Sequence, residues 1–296
     1  MRKCFIAFCL LFFVTGLQAA QPETLPIGAA APDFQLPGVD GKFYNLADFK
    51  ESRYLTVIFT CNHCPTAQSY EERIKALVND YQSRGVGFVA ISPNDPKSVR
   101  PDELGYTDLG DTLEDMKIRS EHKEFNFPYL FDGETQKTSQ AYGAVATPHV
   151  YIFDENRTLV YTGRIDSTEI KVTANTVHNT RDALDSLLSN KPISVTTTKV
   201  FGCSVKWADK RNLNDRYLES WAKREVSLER VDAAAIGKLI KNDTEKLRFI
   251  NVWATWCGPC VTEFPDLVEM QQWYGNRNFE LVTISADKPN LEKKVH

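Results

Sequence analysis

Tyr54-Leu55-Thr56-Val57-Ile58-Phe59-Thr60, followed by Cys61-Asn62-His63-Cys64-Pro65, is the stretch of sequence that decides the predicted fold. Its first seven residues form an unbroken β-branched and aromatic run, which is typical of a strand buried on both faces. After the cysteines, apolar residues recur at helical spacing over residues 69–82, and Gly85 ends the pattern. The stretch therefore predicts a buried strand that leads through a CxxC pair into a helix.

A second region repeats this plan. Residues 247–254 predict a buried strand, Trp256-Cys257-Gly258-Pro259-Cys260 follows it, and a helical pattern continues to Trp273. Phe279–Ser285 predicts the next strand. Strand, CxxC, helix and strand thus occur twice, too far apart for a solenoid, and we predict two domains in tandem.

Between these regions, predicted strands and helices continue to alternate. Val86–Ser92 predicts a second buried strand, and the polar residues 93–110 predict an inserted loop. A charged stretch, residues 207–224, is predicted as a linker between the domains. This alternation indicates the α/β fold class. The remaining predicted elements are helices at 112–125, 136–142, 180–189 and 231–240 and strands at 128–131, 150–153 and 158–163.

Composition narrows the classes of function. The 296 residues carry 35 Lys and Arg against 39 Asp and Glu, a formal net charge of −4. So weak a charge argues against a surface devoted to nucleic acid or anionic lipid. Hydrophobic residues make up 42% and charged residues 25%, which is ordinary globular usage and argues against disordered, collagen-like and coiled-coil classes.

The N-terminus has the pattern of a secretory signal. Two basic residues precede an apolar run, residues 4–14, that is too short to span a bilayer, and small residues follow it. We predict residues 1–20 to be a cleaved signal peptide, with a membrane anchor as the alternative. Cleavage would remove Cys4 and Cys9, and no later run has the length of a transmembrane helix. An extracytoplasmic location, in a bacterial periplasm or secreted, is therefore expected.

A CxxC pair at a strand-to-helix junction suits thiol–disulfide chemistry. A thiol must ionise to attack a disulfide, and a helix N-terminus stabilises the thiolate. We expect the first cysteines, Cys61 and Cys257, at that position, and Cys64 and Cys260 one turn later to resolve the mixed disulfide. Structural disulfides and a shared zinc site are the alternatives, but each pair has its own strand and helix. These four cysteines are the predicted catalytic residues, and no metal or cofactor is expected.

Both regions resemble branches of the thioredoxin superfamily. Trp253-Ala-Thr-Trp-Cys-Gly-Pro-Cys260 resembles the thioredoxin active site, and Cys260-Val-Thr-Glu-Phe-Pro265 resembles its TlpA/ResA-type extracytoplasmic branch. Pro26 to about Trp207 resembles the peroxiredoxin-like AhpC/TSA members. The segments that carry this second resemblance are Phe59-Thr-Cys-Asn-His-Cys-Pro65, Phe127-Pro-Tyr-Leu-Phe-Asp132, Tyr142-Gly-Ala-Val-Ala-Thr-Pro148 and Gly202-Cys-Ser-Val-Lys-Trp207.

The resemblance implies two thioredoxin-like folds in tandem, each with a central mixed β-sheet and flanking helices. The expected domains are residues 21–206 and 225–296. Thr147-Pro148 corresponds to the superfamily's cis-proline loop, which lies against the CxxC pair and receives the substrate backbone. No Thr-Pro, Ser-Pro or closing hairpin follows Cys260, so the second fold is expected to be incomplete at its C-terminus.

Two departures from the families bear on chemistry. The peroxidatic motif P-x-x-x-T-x-x-C is broken, because Thr56 and His63 replace its proline and cysteine, which argues against thiol peroxidase activity and leaves it as an alternative. Asn251 replaces the buried aspartate of thioredoxin. Glu263 is therefore the candidate proton acceptor for Cys260, with a solvated glutamate favoured by the helix dipole as the alternative.

His63 distinguishes the two pairs. A cationic imidazole beside Cys61 would stabilise its thiolate and make the disulfide more oxidising, whereas Gly258-Pro259 offers no cation. We hypothesise that electrons pass from Cys257/Cys260 to Cys61/Cys64.

Metal binding is a separate alternative. Cys61, Cys64 and either His63 or His149 resemble the soft ligand set of Sco-type copper-delivery proteins. Cys203 is interpreted as a small buried apolar residue, with a resolving role towards Cys61 as the alternative.

The sequence therefore predicts an exported thiol–disulfide oxidoreductase. Its expected partners are disulfide-containing protein substrates and an upstream thiol electron donor, with no nucleic acid and no transmembrane segment after signal cleavage.

Overall fold

The computed structural model describes residues 22–104, 107, 109–169 and 171–295. The predicted signal peptide, with Cys4 and Cys9, lies outside these residues. The strands are β1 (Gln35–Pro37), β2 (Phe43–Asn45), β3 (Tyr54–Phe59), β4 (Val86–Ser92), β5 (Tyr129–Phe131), β6 (Ala146–Thr147), β7 (His149–Phe153), β8 (Leu159–Gly163), β9 (Cys203–Ser204), β10 (Leu247–Trp253) and β11 (Phe279–Ser285). The helices are α1 (Pro65–Tyr81), α2 (Leu113–His122), α3 (Lys137–Tyr142), α4 (Asn179–Leu188), α5 (Arg211–Ala222), α6 (Ala233–Lys241), α7 (Gly258–Thr262), α8 (Phe264–Tyr274) and α9 (Glu292–Val295).

A five-stranded mixed sheet organises the first region. Its strand order is β5-β4-β3-β7-β8, with β3 parallel to β4 and antiparallel to β7. Every residue of β3 and β4 is buried, as their unbroken apolar runs predict. One face of the sheet packs against side chains of α1, α2 and α4, and the other against α3 and the N-terminal segment. The predicted thioredoxin-like architecture, a central mixed sheet with flanking helices, is confirmed for this region.

The start of α1 determines which cysteine caps the helix. The helix begins at Pro65, earlier than the apolar spacing indicates, because proline has the φ angle of a first helical residue and needs no N–H partner there. Cys64 is consequently the N-cap residue. The expectation that Cys61 occupies the helix N-terminus is wrong for this pair.

Two very short strands close over the CxxC pair. β9 pairs antiparallel with β6, so that Cys203 lies opposite Thr147. The preceding Gly202 has φ +137°, and a Cβ there would lie 2.1 Å from the carbonyl oxygen of Thr147. Only glycine permits this approach. Two-residue strands carry no periodicity, so the sequence analysis did not predict this pairing.

The second region has the predicted order of strand, CxxC, helix and strand. β10 and β11 form a two-stranded parallel sheet in continuous register from Leu247↔Phe279 to Trp253↔Ser285. Among the described residues of 225–295, the buried hydrophobic side chains are Ala254 and Leu267. The interpretation of this region as a second thioredoxin-like fold stays a prediction.

Residues 207–224, predicted as a linker, contain a helix that the sequence analysis missed. Trp207 is buried in the core of the first region, and α5 follows it. On α5, Asn214 Nδ2 donates to the Lys97 carbonyl at 3.1 Å, and the Tyr217 hydroxyl donates to the Gln272 carbonyl at 2.8 Å. The helix therefore contacts both regions. Across the described part of the chain, no helix combines the length and apolar character needed to cross a membrane.

The contrast in burial between the two regions predicts unequal contributions to stability. Leu55 in β3 is 0% exposed and Leu247 in β10 is 71% exposed. We expect Leu55→Ala to lower the free energy of unfolding by about 3 kcal/mol, because it leaves a cavity, and Leu247→Ala to lower it by less than about 0.5 kcal/mol. Urea unfolding of the two variants measures both values, and equal losses would contradict the assignment of the core to the first region.

Candidate active site

Cys61 and Cys64 lie where β3 ends and α1 begins, against the loop that contains Pro148. The Thr147–Pro148 peptide bond is cis, as the resemblance implies. Cys61 Sγ lies 3.0 Å from Thr147 Oγ1, and the Cys64 thiol lies 3.5 Å from the Thr147 carbonyl oxygen. Both cysteines are free thiols and both are buried. Thr147 therefore contacts both sulfur atoms of the pair.

Hydrogen-bond donors converge on the sulfur of Cys64. The backbone amides of Ala67 and Cys203 donate to Cys64 Sγ at 3.4 and 3.3 Å. Hydrogen bonds from the Cys203 and Cys61 thiols, assisted by these amides, hold the pKa of Cys64 far below its usual range. Burial and the hydrogen bond to Cys64 raise the pKa of Cys61. These donors favour the thiolate form of Cys64, whereas the sequence analysis expected the thiolate at Cys61.

His63 forms a buried pair with Asp111. The imidazole Nδ1 donates to Asp111 Oδ2 at 2.6 Å, and both side chains are at most 1% exposed. Burial opposes both charges, but the negative charge of Asp111 raises the pKa of His63, and the positive charge of His63 lowers the pKa of Asp111. The hydrogen bond and the opposite charges therefore favour the imidazolium and the carboxylate, and the imidazolium is the cation that was expected beside the cysteines.

Three further donors fix the carboxylate of Asp111. The backbone amides of Asn62 and His63 donate to Oδ1 at 2.8 and 3.2 Å, and Asn94 Nδ2 donates to Oδ2 at 2.7 Å. The sequence analysis assigned Asn94 to an inserted polar loop and did not select Asp111. An aspartate just before a helix is common as a local capping residue, so no local signal distinguishes one that reaches back to a distant histidine.

The geometry bears directly on the metal-binding alternative. Cys61, His63 and Asp111 each offer a ligand atom, and these atoms lie within 4.8 Å of one another. However, both oxygens of Asp111 accept hydrogen bonds, and Nδ1 of His63 is bonded to it. The cluster is therefore explained as a hydrogen-bond network that orients the imidazole.

His149 is not available as a copper ligand in this structure. Its Nε2 lies 3.0 Å from Thr162 Oγ1, and its Nδ1 lies 3.1 Å from the Tyr151 hydroxyl. Burial lowers the pKa of His149 to about 3. The ring is bonded at both nitrogens within the sheet, and the copper alternative loses this ligand.

The second pair is in a different state. Cys257 and Cys260 form a disulfide, and Cys257 is the N-cap residue of α7, as predicted for the first cysteine of this pair. Both cysteines are half-buried, and the neighbouring Trp256 is exposed. Glu263 is also exposed, and its Oε1 accepts a hydrogen bond from Asn251 Nδ2 at 3.3 Å. Its role as proton acceptor for Cys260 stays a prediction.

The AhpC/TSA family model matches residues 27–162. Two solved structures are similar to the chain over most of its length. A hypothetical protein, SMc02350, from Sinorhizobium meliloti 1021 is 32% identical, covers 64% of this chain and 98% of its own, and has a TM-score of 0.55. An uncharacterized conserved protein from Geobacillus kaustophilus is 37% identical, covers 64% of this chain and 95% of its own, and also has a TM-score of 0.55.

Curated relatives carry the name thiol-disulfide oxidoreductase ResA. The protein from Geobacillus thermodenitrificans (strain NG80-2) is 24% identical over 155 residues, which are 51% of this chain and 78% of that protein. The protein from Bacillus thuringiensis (strain Al Hakam) is 35% identical over 46 residues, 16% of this chain. The chain spans about a quarter of the length of the first such relatives, 27% in this case.

The donors around Cys64 predict an unusual titration. Because its pKa is lowered, we expect Cys64 to remain a thiolate at about pH 5, where a thiol with the ordinary pKa of about 8.5 is protonated. Ultraviolet thiolate absorbance during acid titration of the reduced protein measures this. Cys61→Ser should retain the low-pH thiolate, since serine keeps a hydroxyl donor, and Cys64→Ser should abolish it. Loss of all thiolate signal near pH 8 would refute the assignment.

Proposed function

Residues 27–162 are an AhpC/TSA-family domain of the thioredoxin superfamily, and on this basis we propose that the chain is a thiol–disulfide oxidoreductase acting through Cys61 and Cys64. The observation that carries the proposal is the environment of Cys64 Sγ, which accepts hydrogen bonds from two backbone amides beside a second thiol. Exchange requires one sulfur with a stable thiolate and another within reach, and this pair supplies both.

The stabilised thiolate assigns different tasks to the two cysteines. When the Cys61–Cys64 disulfide is attacked at Cys61, Cys64 leaves as a thiolate, and a thiol of low pKa leaves faster. The imidazolium of His63, held by Asp111, adds positive charge beside the leaving sulfur. Thr147 and Pro148 line the opposite side of the cysteine pair. We propose that the backbone of the substrate binds there.

Three further assignments belong to the same proposal. Cys257 and Cys260 are a second exchange site, which passes electrons to the first. The substrates are disulfide-containing proteins, and an upstream thiol reduces the chain. The protein works outside the cytoplasm, which accords with the pattern of residues 1–20 and with the ResA name of its relatives.

Insulin reduction with dithiothreitol as donor tests the activity. We expect Cys61→Ser/Cys64→Ser to abolish the acceleration of insulin reduction by the first site, because the pair that forms and resolves the mixed disulfide is removed. The matched variant Cys257→Ser/Cys260→Ser should retain the activity of the first site. Urea unfolding of both variants controls for loss of fold. Full activity in Cys61→Ser/Cys64→Ser would overturn the proposal for the first site.

The environments of the two pairs predict different reduction potentials. The first pair should be more oxidising by at least about 30 mV, equivalent to about 1.4 kcal/mol, because its reduced form contains the stabilised thiolate. Glutathione redox titrations of the two double-serine variants measure each pair alone. His63→Asn should lower the potential of Cys61/Cys64 towards that of Cys257/Cys260. Equal potentials in the two variants would exclude the proposed direction of electron flow.

A further inference from the structure

A third sulfur lies against the first pair. Besides the backbone hydrogen bond from Cys203 to Cys64 Sγ at 3.3 Å, the Cys203 side chain packs against Cys61, Cys64 and Ala67. The pairing of β9 with β6 holds Cys203 opposite Thr147, the residue that contacts both other cysteines. The sequence analysis considered Cys203 as a partner of Cys61, but the structure brings it to Cys64.

The backbone around Cys203 is built for this approach. Gly202 lies so close to Thr147 that any side chain at position 202 would overlap the Thr147 carbonyl, which a Cβ would approach to 2.1 Å. Its φ of +137° is also one that residues with side chains rarely adopt. A glycine at this position is therefore needed to bring the Cys203 strand against the cis-proline loop.

The three cysteine residues differ in their exposure to solvent. Cys64 is 0% exposed and Cys61 is 3% exposed, whereas Cys203 is half-buried. Thiol–disulfide exchange requires an external sulfur to approach along the bond that breaks, and access controls its rate. Of the three cysteines, Cys203 is therefore the residue at which we expect an external thiol to react first.

We propose that Cys203 is a third redox thiol of this site, which forms a disulfide with Cys64 and exchanges with external thiols at its own sulfur. This inference rests on the proposed function of Cys61 and Cys64.

The exchange proceeds in three displacements. From the oxidised pair, the Cys203 thiolate attacks Cys64 Sγ, the Cys64–Cys203 bond forms, and Cys61 leaves and takes up the proton that Cys203 released. An external thiol then attacks Cys203 Sγ as its own proton is lost, and Cys64 leaves as a thiolate. A second external thiol displaces Cys203 from the mixed disulfide. The proton of the second external thiol passes to Cys203, and the proton of the first is released to solvent. In sum, two external thiols are oxidised to one disulfide, Cys61–Cys64 is reduced to the Cys61 thiol and the Cys64 thiolate, and one proton is released.

The electrostatic environment of Cys203 accords with this order of displacements. The hydrogen bond to the Cys64 thiolate, together with burial, raises the pKa of Cys203, so the fully reduced site keeps Cys203 protonated. When Cys64 is part of a disulfide, that thiolate no longer exists and its effect on Cys203 is removed. Burial still raises the pKa of Cys203, but the larger cause is removed, so Cys203 ionises more readily in the oxidised state, in which the first displacement requires it.

Disulfide trapping tests the new bond directly. In the full chain carrying Cys257→Ser/Cys260→Ser, the further change Cys61→Ser leaves Cys64 and Cys203 as the thiols of the first site. We expect oxidised glutathione to convert them to a Cys64–Cys203 disulfide, identified by mass spectrometry of non-reduced peptides. In the matched Cys61→Ser/Cys203→Ser variant, Cys64 should carry glutathione or remain free. Equal glutathione adducts on Cys64 in both variants would overturn the proposal.

The rate at which the Cys61–Cys64 disulfide is reduced tests whether external thiols react at Cys203. We expect Cys203→Ser to slow reduction of the Cys61–Cys64 disulfide by reduced glutathione by at least about tenfold. Gly202→Ala should also slow this reduction, although it leaves all thiols in place. Urea unfolding reports any loss of fold. If Cys203→Ser is reduced at the wild-type rate while, in the Cys257→Ser/Cys260→Ser background, Cys61→Ser/Cys64→Ser is inactive towards insulin, this inference fails alone. If Cys61→Ser/Cys64→Ser keeps full activity in that background, the proposed function itself fails.

Discussion

The hydrogen bond from the Ala67 amide to Cys64 Sγ connects the fold of the first region to its chemistry. Pro65 fixes the first residue of α1, so residue 64 must be the N-cap and its side chain must accept from the first turn. A neutral thiol is a weak acceptor, whereas a thiolate is a strong one and also complements the positive end of the helix dipole. The start of the helix therefore favours the thiolate form of Cys64 over that of Cys61.

The buried pair of His63 and Asp111 has to overcome a large cost of desolvation. An imidazolium and a carboxylate removed from water are stabilised only when their geometry is good and their remaining polar atoms are bonded. Asp111 meets this condition through two backbone amides and Asn94, and those amides belong to the residues between the two cysteines, whereas Nε2 of His63 has no hydrogen-bond partner among the described residues. The carboxylate of Asp111 therefore fixes the backbone of the CxxC loop and also favours the positive charge of the imidazole. Because this arrangement exists before any substrate binds, little reorganisation is needed when charge develops on sulfur.

Short-range residue patterns predicted the strands and junctions that depend only on neighbouring residues. The strands β4 and β11 matched their predicted bounds, and the CxxC junctions were found from residue order, whereas the cis-proline was implied by the resemblance to the thioredoxin superfamily. The site residues that were missed are held by contacts distant in sequence, since 48 residues separate His63 from Asp111 and 139 separate Cys64 from Cys203. A two-residue strand such as β9 has no periodicity, and the charged pattern of α5 resembles a linker because most of its surface is exposed. These features depend on the assembled sheet, so no window of sequence contains them.

The two CxxC pairs have similar local sequences but differ in the hydrogen-bond donors and the burial around their sulfur atoms. Around Cys64, backbone amides, neighbouring thiols and the imidazolium all favour the thiolate, and any interaction that favours the thiolate favours the reduced form of the pair. Around Cys257 the N-cap side chain makes no capping hydrogen bond, and the pair is half-buried with an exposed tryptophan beside it. A pair whose thiolate is less stabilised holds its disulfide more firmly against reduction, so it is the better electron donor when reduced. The proposed direction of electron flow, from Cys257/Cys260 towards Cys61/Cys64, therefore depends on the hydrogen-bond donors around each pair and not on the CxxC motif that the two pairs share.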